Sequence, residues 1–372
     1  MSNFVLIAGG TGGHLFPAMA LAQELIRRGH TVELMTDHRV ESYGADFPAR
    51  RIHIVPAATP SGANLVRLVG AGFTILRGIG TAWNVLRKLR PDAVIGFGGY
   101  PTFPPFIAAN LLGIPGVLHE QNAVMGRANR ALARFANVLA MSFPVTRFAE
   151  KQTLEKVLTG NPVRDRVRPL AGRPYPRLNE KGTIRLVVTG GSQGARALSE
   201  IVPAAIALLP DDLRHRLHVL QQARPEDIER VAESYRKSRT SVELSSFISD
   251  LPERIADAHL VIGRAGASTV SELCVIGRPA ILIPLPGSLD SDQKYNALFM
   301  EEGGGGWVAE QATLSPQSLA TRLSDLLTQP EKLATAATAA AALGQPRAVE
   351  KLADIAEKLG SKQTQIQGSA EP

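Results

Sequence analysis

The chain alternates between short, almost continuously apolar runs and longer stretches in which apolar residues return every three or four positions. The short runs are FVLIAGG (4–10), TVELMT (31–36), RIHIVP (51–56), AVIGFGG (93–99), GVLHEQ (116–121) and NVLAMS (137–142), followed by IRLVVTGG (184–191), RLHVLQQ (216–222), SVELSSF (241–247), HLVIGRAG (259–266) and AILIPLP (280–286). A strand with one wet face alternates apolar and polar residues, whereas runs this uniformly apolar predict strands covered on both faces, as in parallel sheets. The stretches between them, such as PAMALAQELIRRG (17–29), carry the helical period. Strands interleaved with covering helices predict an α/β architecture.

The pattern repeats. VLIAGGTGGHLFPAMALAQEL (5–25) is echoed by LVVTGGSQGARALSEIVPAAI (186–206), so each half opens with strand, glycine loop and helix. Two doubly wound domains in tandem follow from this. The segment RPLAGRPYPRLNEKG (168–182), rich in Pro, Gly and charge, has the composition of a linker. The expected division is a first domain over 1–163 and a second over 164–345, with a strongly periodic helix at 346–360 crossing back to the first and a disordered tail over 361–372.

Length and composition sharpen this picture. At 372 residues the chain exceeds what one core usually serves, and 44% hydrophobic with 20% charged residues is ordinary for a soluble globular protein. The net charge of +7 points to an acidic partner: phosphate, nucleic acid or an anionic membrane face. Nucleic acid is set aside, because no basic surface interleaved with aromatics is visible. A single cysteine, Cys274, excludes an internal disulfide and fits a reducing compartment. Its apolar setting, SELCVIG, makes it a core filler rather than a nucleophile. The N-terminus lacks the basic region of a signal peptide, and no run reaches the roughly 18 apolar residues of a membrane span.

Glycine loops between a parallel strand and a helix present bare backbone N–H groups at the positive end of the helix, a geometry that binds phosphate. Four such loops occur: GGTGGH (9–14), GFGGY (96–100), GGSQGA (190–195) and GRAGAST (263–269). Each ends a predicted strand, and the carboxyl edge of an open α/β sheet is where ligands bind. The first loop matches the dinucleotide fingerprint G-x-G-x-x-G only in part: from Gly10 and Gly12, the third glycine falls on Leu15, although Asp37 ends the second strand where a ribose-binding acid belongs. The repetition of the loop in the second half and His14 beside the phosphate site count against a nicotinamide enzyme.

GGTGGHLFPA, GFGGYPT, HEQN, GNPVR, GGSQGA, RAGASTVSEL and DQKYNA, in that order over residues 9 to about 297, closely resemble the lipid II-forming peptidoglycan glycosyltransferases of glycosyltransferase family 28, which use UDP-N-acetylglucosamine (UDP-GlcNAc). The resemblance implies a GT-B fold, two Rossmann-like doubly wound parallel-sheet domains facing across a cleft. It implies inverting transfer of GlcNAc from UDP-GlcNAc to the undecaprenyl-diphosphate-linked acceptor lipid I at the cytoplasmic face of the bacterial inner membrane, and with that a place among other cell-wall synthesis and division proteins. Neither cofactor nor metal is expected. The D-x-D at 290–292 is taken as coincidence.

Residue by residue, the resemblance implies that Ser192 in GGSQGA holds the donor diphosphate, that Ala267, Ser268, Thr269, Val270 and Ser271 bind the donor, that Glu272 accepts from the ribose hydroxyls, and that the backbone of Ile248 reads uracil. Arg164 reaches the diphosphate, and Gln293 with Asn296 bonds the GlcNAc hydroxyls, where Asp292 replaces the His or Gln common in the family. Thr11, Gly12, Gly13 and Asn122 complete the donor set, and Gly98, Gly99 and Tyr100 bind the acceptor, whose own diphosphate gives the first-half glycine loops an anion to hold. Inversion needs one base for the attacking hydroxyl. His14 qualifies, because a helix N-terminus disfavours the imidazolium; Glu120 is the alternative. His119 reads as a buried strand residue.

Apolar residues at 65, 69, 73, 76, 79, 83 and 86 keep a helical period through NLVRLVGAGFTILRGIGTAWNVLRKLRPD (64–92), with Arg67, Arg77, Arg87, Lys88 and Arg90 interspersed. Such an edge suits peripheral contact with anionic lipid. The alternatives are a UDP-GlcNAc 2-epimerase of the same fold, a nicotinamide-dependent oxidoreductase, and a non-catalytic module binding lipid diphosphate.

Overall fold

A computed structural model describes residues 1–9, 12–42, 47–59, 65–179, 181–191 and 194–368. The chain divides into two compact units, Met1–Arg164 with Arg347–Pro372, and Asp165–Pro346.

Among the described residues the first unit holds seven parallel strands: β1 (Asn3–Ile7), β2 (Thr31–Thr36), β3 (Ile52–Ile54), β4 (Ala93–Gly96), β5 (Gly116–Glu120), β6 (Val138–Met141) and β7 (Glu155–Leu158). Their order is β3-β2-β1-β4-β5-β6-β7. The second unit holds six: β8 (Ile184–Thr189), β9 (Leu217–Gln222), β10 (Ser241–Ser245), β11 (Leu260–Gly263), β12 (Ala280–Leu282) and β13 (Gly306–Val308), in the order β10-β9-β8-β11-β12-β13. All of these pairs are parallel too. Both sheets are Rossmann-like and both reverse direction beside their first strand, between β1 and β4 and between β8 and β11.

The uniformly apolar runs are explained by double coverage. In β1, Phe4 and Leu6 pack with the helix Gly12–Arg27 and with Val349, Leu352, Ala353 and Ala356 of the last helix. Val5 and Ile7 face the opposite layer, with Ala82 and Leu86 of the helix Leu65–Leu89 and Phe106 of the helix Phe103–Leu111. Two strands, β7 and β13, escape the hydrophobic pattern. Both sit at sheet edges, where one side lacks a partner strand and the core asks for less: EKVL is mostly exposed, and GWV follows a run of glycines.

The last helix is tied to the first unit by charge as well as by apolar packing. The Arg28 guanidinium donates to Asp354 at 2.7 Å and Glu357 at 2.8 Å, and His30 meets Glu357 at 2.7 Å. The helix runs on to Gly368, so the tail expected to be disordered from 361 is helical through 368. SKQTQIQ contains neither Gly nor Pro to stop it. In the second unit the buried Arg278 donates to the carbonyls of Ala256 and Pro174, fastening the linker to that unit. Cys274 is buried there, and burial pushes its thiol up to about 12, which keeps it protonated and inert.

The helix Leu65–Leu89 crosses close to the chain before it. A Cβ on Gly78 would stand 2.1 Å from the Pro56 carbonyl oxygen, whereas one on Gly70 would meet nothing within 4 Å. Gly78→Ala should therefore cost about 1–3 kcal/mol or more in denaturant unfolding, while Gly70→Ala should be neutral or stabilising by up to about 1 kcal/mol. Equal effects would contradict this packing.

Candidate functional site

The topology places the glycine loops before any side chain is considered. GGTGGH follows β1 and GFGGY follows β4, so both lie at the carboxyl edge beside the first switch point; GGSQGA follows β8 and GRAGAST follows β11, at the second.

In the first unit three loops close on one another. Gly98 and Gly99 adopt φ of +86° and +74°, which side chains rarely tolerate. A Cβ on Gly99 would stand 3.4 Å from His14 Nε2, and one on Gly98 would stand 3.3 Å from the Asn129 amide. The loop after β4 thus packs against the start of the first helix and the loop after β5. Gly12 is buried under Phe16, whereas a Cβ on Gly13 would enter open space, so no packing demand explains that glycine. The Arg164 guanidinium lies 5.8 Å from the Phe16 ring, over the same helical turn.

Glu120 ends β5 and is 2% exposed. Its carboxylate accepts from the backbone N–H of Asn122 (3.1 Å) and of Gly126 (2.9 Å) and from the Asn129 side chain (2.8 Å). The Asn122 side chain bonds it as well. Burial pushes the carboxyl up, and these donors pull against that rise. Its oxygens are engaged in shaping the turn that follows. Asp37, placed like a dinucleotide-binding acid, is also occupied: it accepts from Arg39 Nε at 2.6 Å and from the Tyr100 hydroxyl at 3.1 Å. Burial, aided by this carboxylate, raises the Tyr100 phenol and keeps it a donor. Asp37 therefore anchors the loop after β4 through Tyr100.

His14 Nδ1 lies 3.1 Å from Gln121 Oε1, and Gln121 Nε2 lies 2.9 Å from His119 Nδ1. Neither Gln121 nor His119 belongs to the candidate site residues expected from the sequence, where His119 is a buried strand residue. Their alternation at the end of β5 was the available signal, since i and i+2 share a face.

In the second unit the loop after β8 is held by Gln222, which sequence reading also missed. Its Oε1 accepts from Thr189 Oγ1 (3.0 Å) and Gly190 N (3.2 Å), while its Nε2 donates to Ser246 O (3.3 Å). A Cβ on Gly190 would stand 2.4 Å from Ala195 N, so the loop folds back too tightly for any other residue. The helix Ala267–Ile276 starts at Gly266 without a side-chain cap. It carries Ala267, Ser268, Thr269, Val270, Ser271 and the 6%-exposed Glu272. The buried Ser268 Oγ finds no hydrogen-bond partner among the described residues. Uncapped N–H groups and an unpaired hydroxyl at a helix N-terminus are fitted to an anion. Ile248 is buried just after β10, and Gln293 Oε1 accepts from Leu285 N at 3.0 Å. Asn296 is fully buried, and its amide donates to Ala265 O at 3.1 Å, so it braces the GRAGAST loop. Arg264 steadies the neighbouring loop through the carbonyls of Ile283 and Pro284. Thr11 and Ser192 lie outside the described residues.

His119 gives the site a pH signature. Burial drives its pKa down from 6.5 to about 4. Between those values the unfolded chain takes up a proton that the folded chain refuses, so stability rises with pH across the window and is fully present above about 6.5. The wild-type stability advantage over His119→Asn should shrink by up to about 3 kcal/mol from pH 7 to pH 4 in urea titrations. A pH-independent difference would contradict a neutral, buried His119.

With this geometry in view, comparison with known proteins is decisive about kinship. The glycosyltransferase family 28 N-terminal domain matches residues 4–141, and the family 28 C-terminal domain matches residues 185–359. A UDP-N-acetylglucosamine–N-acetylmuramyl-(pentapeptide) pyrophosphoryl-undecaprenol N-acetylglucosamine transferase from Methylorubrum populi is 52% identical over 94% of this chain and 95% of its own length. The crystal structure of Acinetobacter baumannii MurG superposes with a TM-score of 0.79 at 30% identity, over 96% of this chain and 99% of that one. A putative UDP-N-acetylglucosamine 2-epimerase from Listeria monocytogenes reaches a TM-score of 0.64 at 13% identity over 94% of both chains, a likeness of fold alone. The chain belongs to glycosyltransferase family 28.

Proposed function

We propose that the chain transfers GlcNAc from UDP-GlcNAc to the C4 hydroxyl of the N-acetylmuramyl sugar of lipid I, with inversion, forming lipid II. The observation that carries this reading is the 52% identity to the Methylorubrum transferase over 353 residues, 94% of this chain. The second unit supplies a donor site. Amides at the starts of the helices Arg196–Ala207 and Ala267–Ile276 take the UDP diphosphate, and Glu272 takes the ribose. In the first unit we assign Gly98, Gly99 and Tyr100 to acceptor binding and Gly12, Gly13, Asn122 and Arg164 to donor binding. The acceptor oxygen attacks the anomeric carbon as the bond to the UDP oxygen breaks, and the hydroxyl proton passes to the base. Negative charge growing on UDP is met by helix N-termini that are already oriented.

His14 is the base in this reading. Its ring stands against the acceptor loop at Gly99, whereas the Glu120 carboxylate is buried beneath several donors. His14→Gln should lower kcat by about 10²–10⁴-fold with the KM for UDP-GlcNAc little changed. Glu120→Gln should act first on stability, by about 1–3 kcal/mol, because it leaves a buried donor unpaired. Steady-state kinetics beside thermal melts separates the two. A folded Glu120→Gln enzyme without turnover, next to an active His14→Gln enzyme, would reverse the assignment.

The acceptor's polyprenyl tail requires that the enzyme work at a lipid surface. No helix among the described residues is long and apolar enough to cross a membrane. On the helix Leu65–Leu89, however, Leu68, Val69, Phe73 and Leu76 are between 48% and 70% exposed, with Arg77 beside them. We assign this face to the anionic surface of the inner membrane on its cytoplasmic side. Phe73→Ser with Leu76→Ser should weaken cosedimentation with phosphatidylglycerol vesicles by tenfold or more, at about 1.5–3 kcal/mol per buried side chain, without loss of stability. Undiminished vesicle binding would remove this surface from the account.

A further inference from the structure

A chain of buried polar groups runs from the GNPVR motif to His14. His119 Nε2 lies 3.1 Å from Gly160 O, and Gln121 Nε2 lies 2.9 Å from His119 Nδ1 and 3.0 Å from His119 O. Gln121 Oε1 then meets His14 Nδ1 at 3.1 Å. His119 and Gln121 are at most 2% exposed, and the Phe97 ring packs 5.4 Å from the imidazole of His119.

The donors and acceptors in this chain admit one arrangement. The Gly160 carbonyl only accepts, and it already accepts from Thr159 Oγ1 at 2.9 Å, so His119 Nε2 must carry hydrogen. His119 is neutral in its buried position, which leaves a lone pair on Nδ1. Two acceptors, that lone pair and the His119 carbonyl, therefore face one end of the Gln121 amide. Only the NH₂ end can satisfy both, because a flipped amide would set oxygen against two acceptors. The Gln121 oxygen is thereby turned toward His14, whose Nδ1 must donate to it. In the neutral ring of His14 the lone pair then lies on Nε2, the nitrogen nearest the Gly99 loop.

We propose that Gln121, oriented by His119 and the Gly160 carbonyl, is a positioning residue that fixes His14 in the Nδ1–H tautomer and so presents Nε2 as the proton acceptor. The inference rests on the reading of His14 as base, and its first test does not depend on turnover. In protein labelled with ¹⁵N-histidine, long-range ¹H–¹⁵N correlation spectra report which ring nitrogen is protonated, and His14→Gln and His119→Asn identify the two residues' signals. The expected spectrum shows opposite tautomers: hydrogen on Nδ1 at His14 and on Nε2 at His119. Hydrogen on Nε2 at His14 would overturn the proposal. Gln121→Met, which keeps the volume and removes the amide, should release His14 from a single tautomer and lower kcat at least about tenfold, within the range that a general base supplies, with the KM for UDP-GlcNAc unchanged. Should that variant not fold, the wild-type spectrum decides alone. A folded Gln121→Met enzyme with wild-type kcat and an unchanged His14 tautomer would also refute it. If His14→Gln keeps full turnover while the tautomers are as expected, the base assignment falls and the orienting chain stands.

Discussion

The constraint on which everything else depends is the handedness of the crossover between parallel strands. A right-handed connection lays its helix on one face of the sheet, so a sheet that grows outward in both directions from its first strand must change faces beside that strand. Here this happens twice, between β1 and β4 and between β8 and β11. The loops leaving those strands diverge to opposite faces, and the carboxyl edge between them stays uncovered. Helix N-termini point into each opening with N–H groups that the helices cannot satisfy themselves. A geometry suited to anions thus follows from topology, and tight turns account for part of the glycine content. Gly190 is fixed by the closeness of its own loop, whereas a Cβ on Gly13 would meet nothing within 4 Å.

The second layer of the design is a set of buried polar braces beneath the loops. In the first unit Glu120, Asn129 and Gln121 fasten the turn after β5, and Asp37 with Arg39 fastens Tyr100. In the second unit Gln222, Arg264 and Asn296 do the same for the loops after β8, β12 and β11. A buried polar group without a partner costs about 1–3 kcal/mol, so each brace holds its loop in one geometry. The loops can then present unsatisfied groups to a ligand without collapsing onto themselves.

Much of this was legible from the chain. Uniform apolar runs gave away parallel strands covered on both faces, and the glycine loops marked the switch points before any strand order was known. The edge strands β7 and β13 stayed hidden because an edge needs little apolar surface. The site was legible as motifs but not as roles. Glu120 and Asn296 have the chemistry of ligand-facing groups, and only the fold shows that both are buried and brace the loops beside them. Gln121 and Gln222 stayed silent for the opposite reason: a glutamine at a strand end carries no pattern, and its meaning comes from which neighbours can only accept. The last helix ran past its expected stop because a polar tail of good helix formers lacks composition that would distinguish it from a coil.

Transfer of GlcNAc to a lipid-linked muramyl acceptor can be read as UDP release from UDP-GlcNAc, measured with and without a short-chain lipid I analogue. A transferase releases UDP only when the acceptor is present, with GlcNAc appearing on the muramyl C4 oxygen in β linkage. UDP release or epimerisation at the same rate without acceptor would contradict transfer and move the chain toward the epimerase chemistry that this fold also hosts.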